Sequence, residues 1–241
     1  MSVWDVIDAL TTLHSRGGEL MEIRSTLQTF DRARNYNPRS SDDWDILDLR
    51  DDRMRRINRA LQSQRDRTNG FGRETGAVPD RSAELSRLFA AWCVAHADNG
   101  AEARQTRTAR SALETCLITW INDLTTLNTR CRDQQPRLER QRTFYENQRD
   151  LFSTLQRLAE QFVRHWPNSA GQAQALAYML DFERAAGLCR SIVRNYDAGL
   201  SALSRVESEV RAASATSLTW SRWYANRSAV ERDIPARRAP D

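Results

Sequence analysis

The sequence predicts an all-α protein. Two observations carry this. Apolar residues recur at intervals of three and four along nearly the whole chain. No stretch alternates with period two for long enough to build a sheet.

The elements follow in order. Trp4, Ile7, Leu10 and Leu13 make a first stripe, stopped by Gly17-Gly18. Leu20, Ile23, Leu27 and Phe30 make a second. Ile46, Leu49, Met54, Ile57 and Leu61 make a third, behind a capping cluster of Ser41, Asp42 and Asp43. A turn-rich segment runs from Asn69-Gly70-Phe71-Gly72-Arg73 to Val78-Pro79-Asp80. Leu85, Leu88, Phe89 and Trp92 follow, with Asp80 placed as a cap. Leu117, Trp120, Ile121, Leu124 and Leu127 form another stripe. Leu151, Leu155, Leu158 and Phe162 form the next, between Pro136 and Pro167, and Leu200, Leu203, Val206 and Val210 form the last. By ordinary lengths this makes about seven or eight helices.

The chain has 241 residues and 36 basic side chains against 32 acidic ones, a net charge of +4. Every basic residue is arginine, and lysine is absent. Three causes are open: a GC-rich genome, a need for planar bidentate donors to phosphate or carboxylate, and escape from lysine-directed modification. Half of the arginines lie at or before Arg110 and half after it, so the basic character is not a tail or a single patch. The longest uncharged apolar run is about Ala90–Ala97, far short of a membrane span. No secretory signal is visible at Met1-Ser2-Val3-Trp4-Asp5, so Cys93, Cys116, Cys131 and Cys189 are expected to be reduced and mostly buried.

An internal repeat is the main organisational signal. Leu10-Thr11-Thr12-Leu13-His14-Ser15-Arg16 matches Leu124-Thr125-Thr126-Leu127-Asn128-Thr129-Arg130. Leu85-Ser86-Arg87-Leu88 echoes Leu203-Ser204-Arg205-Val206. Arg110-Ser111-Ala112-Leu113-Glu114 echoes Arg227-Ser228-Ala229-Val230-Glu231. The echoes keep one order in both halves. They predict antiparallel helical bundles in two related four-helix-type units, residues 1–116 and 117–233, with a mobile tail over 234–241.

Chemistry-bearing motifs are scarce. There is no G-x-S-x-G, no H-E-x-x-H and no phosphate loop, which would need a lysine. No Cys or His pair has metal-ligand spacing, and Asp42-Asp43 and Asp51-Asp52 read better as complements to helix dipoles than as metal ligands. The expectation is no enzyme, no catalytic residue, no metal and no cofactor. The arginines are more informative. Arg65 and Arg67 end one helix, Arg73 lies in the glycine loop, and Arg81 opens the next helix. Such a cluster can grip phosphates without reading sequence. Arg190, Arg194 and Arg205 surround Asn195-Tyr196-Asp197 at the corresponding corner of the second half. Arg53, Arg55, Arg56 and Arg59 follow acidic residues by one turn, as on an ordinary solvated face. Trp220, Trp223 and Tyr224 with Arg227 suit stacking on bases or packing against a second subunit, and subunit packing is the favoured reading.

Together these residues resemble the coat proteins of rod-shaped plant viruses, of the tobamovirus, furovirus and hordeivirus kind. The resemblance is carried by the helix pair Trp4–Leu13 and Leu20–Arg34, by the arginine-rich exit Ala60-Leu61-Gln62-Ser63-Gln64-Arg65-Asp66-Arg67, and by Tyr224-Ala225-Asn226-Arg227-Ser228-Ala229-Val230-Glu231. It implies a four-helix unit stacked in a helical array around RNA, here a tandem fusion of two such units. The expected function is then a structural capsid protein packaging single-stranded RNA, found in the virion and the host cytoplasm, with itself and RNA as partners and no membrane. Carboxylates at Asp42-Asp43 and Asp51-Asp52 would then tie assembly to pH or cations. Two other readings stand beside this one. They are a helical adaptor or chaperone without nucleic acid, and an arginine-rich helical subunit of a nucleoprotein complex.

Overall fold

The computed structural model describes residues 51–69 and 78–234. The two N-terminal stripes, the Gly70–Arg73 loop, Asp42-Asp43 and the tail beyond Ile234 lie outside them. Among the described residues the structure is all-α, with five helices and no strand. We number them α1 (Asp51–Thr68), α2 (Ser82–Asn99), α3 (Arg104–His165), α4 (Gln172–Ala225) and α5 (Arg227–Asp233).

The two long helices differ from the expectation of several shorter ones. α3 passes through Pro136 without a break. Proline forfeits one backbone donor and crowds the preceding turn. Here the flanking stripes hold the helix together: Leu124, Leu127 and Cys131 are buried before it, Leu138 and Tyr145 after it. No glycine lies anywhere in α3 to release the chain. The expected unit boundary at 116/117 falls inside this same helix. α3 stops at the Trp166-Pro167-Asn168 turn, where Asn168 adopts φ 68° and its N–H is received by the Gln172 side chain at 3.0 Å.

The helix ends have local causes. The N-cap of α2 is Arg81 and not Asp80 as expected; Asp80 stands one residue earlier, where its carboxylate accepts the Ser82 N–H at 2.9 Å in a local turn, and that hydrogen bond lowers its pKa. α2 ends at Gly100, whose φ of 78° is the left-handed conformation glycine adopts without strain.

Contacts divide the chain into two compact units. In the described part of the first, α1 packs with residues 133–203. Its core holds Ile57, Leu61, Leu151, Phe152, Leu155, Leu158 and Phe162. Tyr145 stacks on Tyr196 and Phe152 meets Phe182, so rising numbers on α3 meet falling numbers on α4 and the two helices run antiparallel. The second unit, in its described part, comprises residues 78–132 and 204–234. Leu85 and Trp92 of α2 are buried there with Leu113, Leu117, Trp120, Leu124, Val206 and Val210. The Trp120 Nε1–H donates to the Pro79 carbonyl at 3.0 Å, and the Val78 N–H donates to Glu209 at 3.2 Å. These two bonds tie the strap before α2 to α3 and α4.

No helix among the described residues is long and apolar enough to cross a membrane. All four cysteines are free thiols: Cys116, Cys131 and Cys189 are buried and Cys93 is half-buried. Burial pushes the Cys131 thiol up to about 11 and the Cys189 thiol up to about 12, and raises the Tyr196 hydroxyl as well. The fold therefore favours their neutral forms. That contribution is complete below the ordinary thiol value and is lost as pH climbs towards the folded values. Lysine is absent and arginine does not titrate in this range, so thiols and tyrosine hydroxyls are the side chains that do. The urea midpoint is expected to fall steadily between about pH 8.5 and 11, and less steeply in Cys189→Ala. A flat midpoint over that range would contradict the burial of these groups.

Candidate nucleic-acid interface

The end of α1 is built onto the middle of α4 within the first unit. Thr68 is fully buried, and its hydroxyl donates to the backbone carbonyls of Gln64 and Arg65, closing the last turn. Asn195 then supplies the tertiary link. Its amide nitrogen lies 3.0 Å from the Thr68 hydroxyl oxygen and 3.0 Å from the Asn69 side-chain oxygen. Arginines lie near this link in sequence on both helices. Arg65, three residues before Thr68, is half-buried and donates to the Gln62 amide oxygen at 3.4 Å. Arg190 and Arg194 stand one turn apart on α4, both exposed, with Arg194 next to Asn195. None of the three has a carboxylate partner among the described residues. The carboxylate nearest in sequence on α4, Asp197, is taken by Arg142, which also holds Glu146 at 2.9 Å. That pairing raises the Arg142 pKa, mainly through its hydrogen bond to Asp197. Among the described residues these guanidinium groups are therefore left without a neutralising carboxylate.

The other sequence-predicted arginines fare differently. The predicted corner around Asn195-Tyr196-Asp197 is not a corner: these residues sit inside α4, with Tyr196 buried in the core. An uninterrupted apolar stripe through Cys189, Ile192, Val193, Tyr196, Ala202 and Leu203 keeps the chain helical where polar residues suggested a turn. Arg205 is exposed but belongs to the second unit. Arg81 also lies in the second unit, tied to Asp123 at 3.2 Å and to Glu84 at 3.8 Å. The side chain of Arg67 and all of Arg73 lie outside the described residues.

The aromatic cluster is partly consumed inside the second unit. Trp223 meets Phe89 edge-on at 4.4 Å between ring centroids and Trp92 at 5.9 Å. Trp220 remains half-buried, lining with Phe89, Thr219 and Trp223 an open cavity of about 260 Å³. The Arg227 guanidinium lies 4.7 Å over the Tyr224 ring. Burial raises the Tyr224 hydroxyl pKa, and its hydrogen bond to Glu114 acts in the same direction. Arg110 in turn pairs with Glu231 at 3.5 Å. The two echoed segments, Arg110–Glu114 and Tyr224–Glu231, thus face each other and exchange partners. The repeat exposed both segments, but nothing in their spacing said that they would pair.

Among the described residues no group of three or more His, Cys, Asp and Glu side chains is placed to hold a metal ion. Fold and site together define an all-α, arginine-rich chain with exposed arginines on α4 near the α1–α4 link. Comparison with protein-family models, with curated proteins and with solved structures returns no match.

Proposed function

We propose that this chain is a structural RNA-packaging protein, a coat subunit that self-assembles into helical rods and grips single-stranded RNA through sequence-independent arginine–phosphate contacts. The observation that carries the reading is the Asn195 link, which fixes the end of α1 on α4, with half-buried Arg65 and exposed Arg190 and Arg194 near it in sequence and no carboxylate partner for any of them among the described residues. Guanidinium groups held beside amide groups suit phosphate oxygens and carry no base preference. Assembly is supported by large apolar side chains left on helix surfaces. Leu176 and Leu180 are exposed in the first unit, and Ile118 and Leu218 in the second. A rod subunit covers such groups with its neighbours, and the half-buried Trp220 belongs to the same inventory. The virion is the location this reading assigns.

The test is equilibrium binding of fluorescent single-stranded RNAs of unrelated sequence. The reading expects similar affinities for all of them and a steep linear fall of log affinity with log salt. Absence of binding at low salt would overturn it in favour of a protein-interaction module. A strong sequence preference with little salt dependence would overturn the phosphate mechanism.

A further inference from the structure

Three aromatic rings surround a small open cavity in the second unit. Phe89 of α2 and Thr219, Trp220 and Trp223 of α4 line about 260 Å³. Trp223 sets the geometry: it stands edge-on to Phe89, to Trp92 and to Trp220, with 5.9 Å between its centroid and that of Trp220. The Thr219 hydroxyl is turned back to the Ala215 carbonyl at 3.2 Å, so it offers no free donor to the cavity. The volume lies below the roughly 300–1,000 Å³ of small-molecule pockets. It suits one or two side chains of a peptide segment. An aromatic wall of this kind favours proline rings, which pack on it with little ordering cost, and guanidinium groups, which stack on indole faces.

The chain carries both chemistries close by. The segment that follows α5, Pro235-Ala236-Arg237-Arg238-Ala239-Pro240-Asp241, lies outside the described residues. Its reach is set by the part that is described. Trp223 and Ile234 are eleven residues apart and helical except around the turn at Asn226, so about 17 Å separates them at full helical extension, whatever the angle between α4 and α5. The seven residues beyond Ile234 span about 23 Å when extended. Tethering over so short a distance gives the segment an effective concentration on the order of millimolar at the cavity, which a free partner seldom matches. The same unit already seats one arginine on a ring, Arg227 at 4.7 Å over Tyr224. We propose that residues 235–241 dock on this cavity in their own chain, with Arg237 or Arg238 stacked on Trp220. In the unassembled chain this segment, and not a neighbour, then shields Trp220. The docking involves no RNA contact and goes beyond the packaging reading.

The experiment treats the full-length protein briefly with trypsin and follows cleavage after Arg237 and Arg238 by intact mass. Cleavage needs the segment released, so its rate follows the undocked fraction. Trp220→Ala is expected to speed it about fivefold, in keeping with the loss of one cation–π contact. Ile118→Ala, at an exposed side chain of the same unit that does not line the cavity, should leave the rate unchanged. A second measurement leaves the folded helices untouched. In protein labelled with fluorotryptophan, Arg237→Ala/Arg238→Ala should move the Trp220 fluorine resonance, assigned with Trp220→Phe, and leave that of Trp120 in place. Equal cleavage rates in wild type and a folded Trp220→Ala, or a Trp220 resonance unmoved by the double substitution, would overturn the proposal. Faster wild-type cleavage on dilution would assign the cavity to a second copy and overturn docking within one chain. A Trp220 resonance moved by oligouridylate and not by the double substitution would assign it to bases and overturn the proposal as well.

Discussion

Replacing Arg65, Arg190 and Arg194 together by alanine is expected to weaken single-stranded RNA binding by about a hundredfold at moderate salt. It should also flatten the slope of log affinity against log salt by about 2. Each guanidinium lost is one phosphate neutralisation lost, and for single strands each contributes about 0.7 to that slope. The loss should be uniform across RNA sequences, because phosphate contacts carry no base information. Stability should change by less than about 0.5 kcal/mol, since Arg190 and Arg194 are exposed and none of the three holds a carboxylate among the described residues. Replacement of Arg164 and Arg184 by alanine is the control, with two charges removed against three. These pair with Glu160 and Asp181 on their own helices and lie away from the Asn195 link. If the control variant lost as much affinity as the corner variant, binding would reflect overall charge and not this site.

The largest stability effect is expected at Trp120. Its ring is fully buried in the second unit, and its indole N–H satisfies the Pro79 carbonyl. Trp120→Ala removes the ring contacts and leaves that carbonyl without its partner, a combined loss of about 4 kcal/mol. Trp120→Phe keeps most of the apolar contact but not the hydrogen bond, and should lose about half as much. Leu218→Ala, at a side chain 57% exposed, should stay within about 0.5 kcal/mol of wild type. Urea denaturation followed by circular dichroism separates the three. A loss below about 1 kcal/mol in Trp120→Ala would contradict the packing of α3 against the Val78–Asp80 strap.

Much of the helical framework is legible in the sequence because burial leaves a periodic trace. Of Leu117, Trp120, Ile121, Leu124 and Leu127, read as one stripe, all but the half-buried Ile121 are buried, as are Leu151, Leu155, Leu158 and Phe162. Asp80 was placed one residue off: the N-cap is Arg81, and Asp80 holds the Ser82 N–H from the turn before it. The extent of the helices was harder to read. Pro136 is a local stop signal, and only the apolar contacts on both sides of it let α3 continue. Polar Asn195 and Asp197 suggested a turn, yet buried Tyr196 between them belongs to a stripe that runs on. The site was half legible. Arg65, Arg190 and Arg194 stood out by composition, but Thr68 and Asn195 lie 127 residues apart, and one sequence carries no mark of so distant a hydrogen bond.

The central claim is assembly around RNA, and negative-stain electron microscopy of the purified full-length protein tests it most directly. Mixed with single-stranded RNA of arbitrary sequence, the protein is predicted to form rods with a central channel, whose length follows the length of the RNA. Discrete particles at every RNA load, from about pH 5 to pH 8 where carboxylate control of assembly would act, would contradict it.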